Sequence, residues 1–133
     1  MATPSSTLES QLLDLTRQLL TAIAEREWST YTQLCEPSLT CFEPEAVGQL
    51  VEGMEFHKFY FDLAGGSGKR NTTLASPHVR LLGPDAAVVS YVRLVQKADS
   101  GSDPETVAFD ETRVWQRIAG AWKHVHFHRS AAR

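Results

Sequence analysis

Three arginines stand where a simple amphipathic strand would not put them. Side chains alternate between the two faces of a strand. Arg93 therefore shares a face with Tyr91 and Val95, Arg113 with Trp115, and Arg129 with Val125 and Phe127. A guanidinium is rarely buried without a partner, because desolvating it costs several kcal/mol or more. If the three faces point into one concavity, they form a seat for a carboxylate or phosphate, which the planar fork holds through two parallel hydrogen bonds. In the alternative, each arginine lies at a sheet edge and pairs with Glu43, Glu45 or Glu111. Alternation alone does not choose between them. Like charges crowded in one cavity also predict that Arg113→Met keeps the oligomer, and keeps or raises the melting temperature without ligand.

His124, His126 and His128 recur at two-residue spacing, which predicts one shared face of the last strand. Imidazoles at that period can converge on zinc, but a metal needs oriented second-shell partners and usually a ligand from another element, and none is evident. The run therefore reads as a packed or interfacial ladder, with no metal and no cofactor. Gly65-Gly66-Ser67-Gly68-Lys69 lacks the spacing of a phosphate-binding loop and reads as a flexible connection. Cys35 and Cys41 make neither a disulfide framework nor a metal-ligand pattern and are expected to be buried, reduced thiols. There is no G-x-S-x-G, no Cys–His pair favoured by spacing, and no H-R-D or D-F-G. The chain is not expected to be an enzyme. It also lacks a basic amphipathic helical segment.

These residues need a scaffold, and 133 residues with 42% hydrophobic and 22% charged side chains suit one globular domain. A net charge of −3 argues against a general nucleic-acid or anionic-membrane binder. The opening MATPSSTLES has no signal-peptide pattern, and no apolar run approaches a membrane span; a cytoplasmic location is expected. Ser6 and Glu9 form a capping-box pattern, and Leu8, Leu12, Leu15, Leu19 and Ile23 make one stripe of a helix from Thr7 to about Glu27. A short helix over Trp28–Cys35, a strand over Ser38–Glu43, a turn-rich stretch from Gly48 to Gly53 and a short buried helix over Phe56–Leu63 follow. Strands at Asn71–Leu82, Ala86–Ala98, Thr106–Ile118 and Ala121–Arg129, the last two joined at Ala119-Gly120, predict an antiparallel meander. Helices first and strands after make an α+β domain. In AAVVSYVRLV both faces are apolar: Ala86, Val88, Val92 and Leu94 on one, Ala87, Val89, Tyr91 and Val95 on the other. One long helix covers one face, which leaves the other for a second copy of the chain.

The runs CFEPEA, LVEGMEFHKFYF, PHVRLLG, ETRVW and VHFHRS resemble, in order and spacing, the association (hub) domain of calcium/calmodulin-dependent protein kinase II. The resemblance extends from about Leu8 to Ser130. It implies a nuclear-transport-factor-2-like fold, a cone of strongly curved antiparallel sheet wrapped around the long N-terminal helix. The expected division is a disordered tail at 1–6, the hub at 7–130 and a tail at 131–133. By the same correspondence His57, Arg93, Arg113 and Arg129 line a polar pocket, which favours the convergent reading of the arginines; Tyr60 and Tyr91 are plausible neighbours. Relatives carry bulkier residues, often a lid tryptophan, where this chain has its glycine run. The function implied is self-assembly into a large homo-oligomer, a stacked double ring that clusters kinase-bearing or other subunits. A small carboxylate or acidic peptide is the expected pocket ligand, with no nucleic acid and no membrane among the partners. The alternative is a small-acid sensor, or an isomerase- or dehydratase-like enzyme with His57 as a base of low pKa. No kinase signature lies in the chain, so kinase activity and calmodulin binding would come with the family name only.

Overall fold

The structure is a computed structural model that describes residues 7–63, 69–98 and 103–132. Helix α1 (Leu8–Ala24) buries Leu12, Leu19, Leu20 and Ala22. Its N-cap is Thr7, whose side chain accepts from the Ser10 amide at 3.0 Å; Ser6 of the expected capping box lies outside the described residues. The helix stops three residues short of Glu27, where Arg26 takes a φ of 57° that an α-helix cannot continue.

Helix α2 (Trp28–Leu34) runs directly into β1 (Cys35–Phe42). A single 3-10 turn at Pro44–Ala46, the two-residue strand β2 (Val51–Glu52) and helix α3 (Glu55–Asp62) follow. Then come β3 (Lys69–Leu81), β4 (Ala86–Ala98), β5 (Glu105–Ile118) and β6 (Ala121–Ala131). The strands form one curved, unclosed sheet in the order β2-β1-β6-β5-β4-β3. The meander of β3 to β6 is antiparallel as expected, and β5 turns into β6 through Ala119 and Gly120 at φ 52° and 83°, the two positive values of a type I′ turn. The parallel pairing of β1 with β6 is an addition to the meander. It extends the sheet over the chain's opening half and brings Cys41 and Glu43 beside β6.

The core forms where one face of this sheet meets α1. Leu12 and Leu19 pack with Ala87, Val89, Tyr91, Trp115 and Phe127. Thr16 is fully buried at the contact; its hydroxyl donates to the Leu12 carbonyl at 2.8 Å and accepts from Trp115 Nε1 at 3.1 Å. On the opposite face Val88, Val92, Leu94 and Val114 are only half-buried, and none takes part in the core cluster. Helix α3 is less buried than its aromatic run suggests: His57 is its one buried residue, while Phe59 is 62% exposed.

A β-bulge overturns the histidine ladder. Val114 pairs with His126, but its neighbour Trp115 pairs with His124. The extra residue, Val125, rotates the strand by one position. His124 therefore turns into the core and is fully buried, His126 lies on the outer face with Nδ1 2.7 Å from Thr40 Oγ1, and His128 is exposed. Strict alternation also put Val125 on the face of Arg129; the bulge gives that place to His124, and Phe127 keeps its own.

The tail at 1–6, the glycine run and most of the loop between β4 and β5 lie outside the described residues. Beyond Ser130, the Ala132 amide donates to the Ala108 carbonyl at 2.9 Å. Among the described residues no helix is long and apolar enough to cross a membrane.

Candidate functional site

Cross-strand register builds the site. On the core-facing side, Val89 of β4 stands opposite Arg113 of β5, which stands opposite Phe127 of β6. One step along, Tyr91, Glu111 and Arg129 form the next row, and Arg93 opposite Phe109 begins the third. Glu111 thus sits at the centre of a block of arginines, because directly opposed and diagonal neighbours on a sheet face lie within side-chain reach.

Glu111 is 2% exposed and organises the block. Its Oε1 accepts from Tyr91 Oη at 2.6 Å and from Arg113 Nη2 at 3.0 Å. Arg113 Nε donates to Tyr91 Oη at 2.7 Å, Nη1 lies 3.4 Å from His124 Nε2, and the guanidinium stacks 4.6 Å from the Phe127 ring centroid. Arg113 is 1% exposed, with each of its nitrogens beside a partner. Arg93 is held less completely: its Nε lies 2.9 Å from Glu111 Oε2, yet neither atom has a hydrogen bond. Arg129 pairs with Glu45 and lies 3.7 Å from Glu43 Oε2, with its guanidinium 4.8 Å from the Phe109 centroid.

His57 enters from α3. Its Nδ1 is 3.7 Å from Glu43 Oε1 and its Nε2 is 3.8 Å from Cys41 Sγ. His57, Arg93, Arg113 and Arg129 line one cavity of about 240 Å³ together with Tyr31, Tyr60, Phe61, Phe127, Glu43 and Glu45. Tyr91 stands behind the wall and orients Arg113. The arginines converge on one cavity, and each also pairs with one of the acids Glu43, Glu45 or Glu111, but from the inner strands β4, β5 and β6 and not from a sheet edge. This reverses the expectation for Arg113→Met, because Arg113 is the hydrogen-bonded counter-ion of a buried carboxylate.

The environment sets the charges. Burial alone would raise the Glu111 carboxyl, but Arg113 and Arg93 outweigh it and hold the group below the usual carboxylate range. Burial, followed by repulsion from Glu45, pushes Glu43 up. Burial and then Arg113 push His57 down to about 4, and the same two causes hold His124 well below the ordinary histidine value. Burial raises the Cys35 and Cys41 thiols to about 12.

The thiol–imidazole contacts were invisible to spacing. Cys41 meets His57, and Cys35 Sγ lies 3.5 Å from His124 Nδ1, 89 residues away in sequence. Their only sequence signal is the pair of cysteines on one strand. Cys41, Glu43 and His57 bring ligand atoms within 4.8 Å of one another, a donor set that zinc accepts. Arg129 beside Glu43 and Arg113 beside His57 oppose a cation there. The thiol and imidazole are set as a neutral pair.

The family model for the calcium/calmodulin dependent protein kinase II association domain matches residues 9–133. The calcium/calmodulin-dependent protein kinase type II subunit delta of Oryctolagus cuniculus is 46% identical over 126 residues, which are 93% of this chain and 24% of that protein. The chain thus spans about a quarter of that relative's length. The solved CamKII hub homology domain of Chlamydomonas reinhardtii is 47% identical and superposes with a TM-score of 0.89 over 96% of this chain and 99% of its own. An NTF2-like protein of Cytophaga hutchinsonii shares the fold alone, with 21% identity and a TM-score of 0.78 over 95% of this chain and 99% of that one. With a match from residue 9 to the last residue, this chain belongs to the calcium/calmodulin-dependent protein kinase II association domain family.

Proposed function

We propose that this chain is an oligomerisation hub, which self-assembles into a closed, stacked double ring and gathers kinase-bearing or other subunits through hub-to-hub contacts. The observation that carries this reading is the half-buried apolar face of β4 and β5 in a chain that belongs to the association domain family. Val88 and Val114 are cross-strand neighbours there, with Val92 and Leu94 further along β4. Covering such a face removes apolar area from water at roughly 25 cal/mol per Å². A closed point-group assembly lets every copy cover it in the same way. Light scattering after size exclusion tests the proposal. A mass many times the 14.8 kDa chain is expected, and a monomer or simple dimer at micromolar concentration refutes the ring.

The cavity fits an anion seat in the hub, with Arg93 and Arg129 as the contacting residues. Arg113 is engaged in the wall and contributes field, whereas Arg93 and Arg129 keep donors that the surrounding acids do not use. A small monocarboxylate such as propionate should raise the melting temperature at millimolar concentration. The charge states favour binding over catalysis. A general base works best with a pKa near the operating pH, and His57 at about 4 is far from it.

A further inference from the structure

Beyond the inner cavity, the same sheet face carries a second cationic row. Arg93, Val95 and Lys97 follow one another on the core-facing side of β4. Val107 lies opposite Val95, Phe109 opposite Arg93, and Arg70 of β3 opposite Lys97. The face therefore reads cation, apolar belt, cation. These residues line a cavity of about 470 Å³ that shares Ile23, Tyr60, Phe61, Arg93 and Arg129 with the inner one. Glu25 is its one lining carboxylate among the described residues. Glu105 stands opposite Lys97 in register, yet no ion pair within 4.0 Å engages Lys97 or Arg70 among the described residues. Arg26 contributes to the far wall and is fixed there, with Nη1 donating to the Tyr60 carbonyl at 3.2 Å and to the Leu63 carbonyl.

We infer that the site takes an elongated dianion, with one acid at Arg93 and Arg129, an apolar or aromatic middle against Val95, Val107 and Phe109, and the second acid at Arg70 and Lys97. This rests on the anion seat proposed above and adds to it the length and double charge of the ligand. Lys97 lies four strand steps beyond Arg93, about 13 Å between Cα atoms at roughly 3.3 Å per residue. Both side chains are long and flexible, so the two acids of a matching ligand lie on the order of 10 Å apart. An eight-carbon α,ω-dicarboxylate spans nearly that length, and a four-carbon one does not.

The test compares suberate with octanoate, and succinate with propionate, by calorimetric titration of the full chain. Suberate should bind about tenfold or more tightly than octanoate, because one added charge-assisted contact is worth about that factor. Succinate should gain little over propionate. Arg70→Ala combined with Lys97→Ala should remove the gain of suberate and leave octanoate unchanged. If neither octanoate nor propionate binds, the inner anion seat itself is wrong and the inference falls with it. If octanoate binds and suberate binds no better, or the double variant leaves the gain in place, the second seat is overturned while the first stands.

Discussion

Replacing Arg113 with methionine should cost the fold about 3–5 kcal/mol, the range for breaking a buried ion pair from one side. The variant loses hydrogen bonds of 3.0 Å to Glu111 Oε1 and 2.7 Å to Tyr91 Oη. It leaves the Glu111 carboxylate, whose side chain has no solvent exposure, facing Tyr91 and an unaligned Arg93. Because Arg93 stays 2.9 Å away, the lower end of that range, about 3 kcal/mol, is the expectation. In a domain of this size 1 kcal/mol moves the melting temperature by about 3–5 °C, so a fall of about 10 °C should appear at fixed chain concentration. Adding Glu111→Gln should recover part of the loss, since glutamine still accepts from Tyr91, while Arg93 gives up its counter-ion. The pH dependence has a definite sign. The folded-state pKa of Glu111 lies below its unfolded value of about 4.3, so its contribution is full above that pH and is lost as pH falls through the folded pKa. Arg113→Met should flatten that acid limb. A single variant that melts within about 2 °C of the parent would refute the ion-pair argument.

Thr16→Val leaves Trp115 Nε1 buried without its acceptor, and urea unfolding should register a loss of about 1–3 kcal/mol. His57→Gln should reduce the slope of stability against pH between about 6.5 and about 4, because unfolded His57 takes up a proton there and folded His57 does not. His124, also depressed, should preserve the remainder of that slope. The chain should not bind calcium-loaded calmodulin at micromolar concentration; a saturable titration would mean that one of its helices acts as a target.

Local pattern carries the parts of this protein that depend on periodicity. The leucine spacing of α1, the alternation in β4 and β5 and the turn at Ala119-Gly120 all concern residues a few positions apart, and each is realised in the structure. Parity alone put Arg93, Arg113 and Arg129 on faces with large apolar residues, and the motifs from CFEPEA to VHFHRS carried the family. Parity fails where its premise fails. One extra residue at Val125 turns His124 inward and breaks the histidine ladder, and no residue type there announces a bulge. The parallel pairing of β1 with β6 joins segments more than 80 residues apart, which is why spacing could not show the Cys35–His124 contact or which of the candidate acids Glu43, Glu45 and Glu111 stands beside Arg129. The role of Arg113 was decided only in three dimensions. Whether a guanidinium on a core-facing strand is free for a ligand or committed to a wall depends on what fills the space around it. Here the register of three strands sets Glu111 and Tyr91 against Arg113, while Arg93 and Arg129 meet Glu111, Glu43 and Glu45 at the cavity.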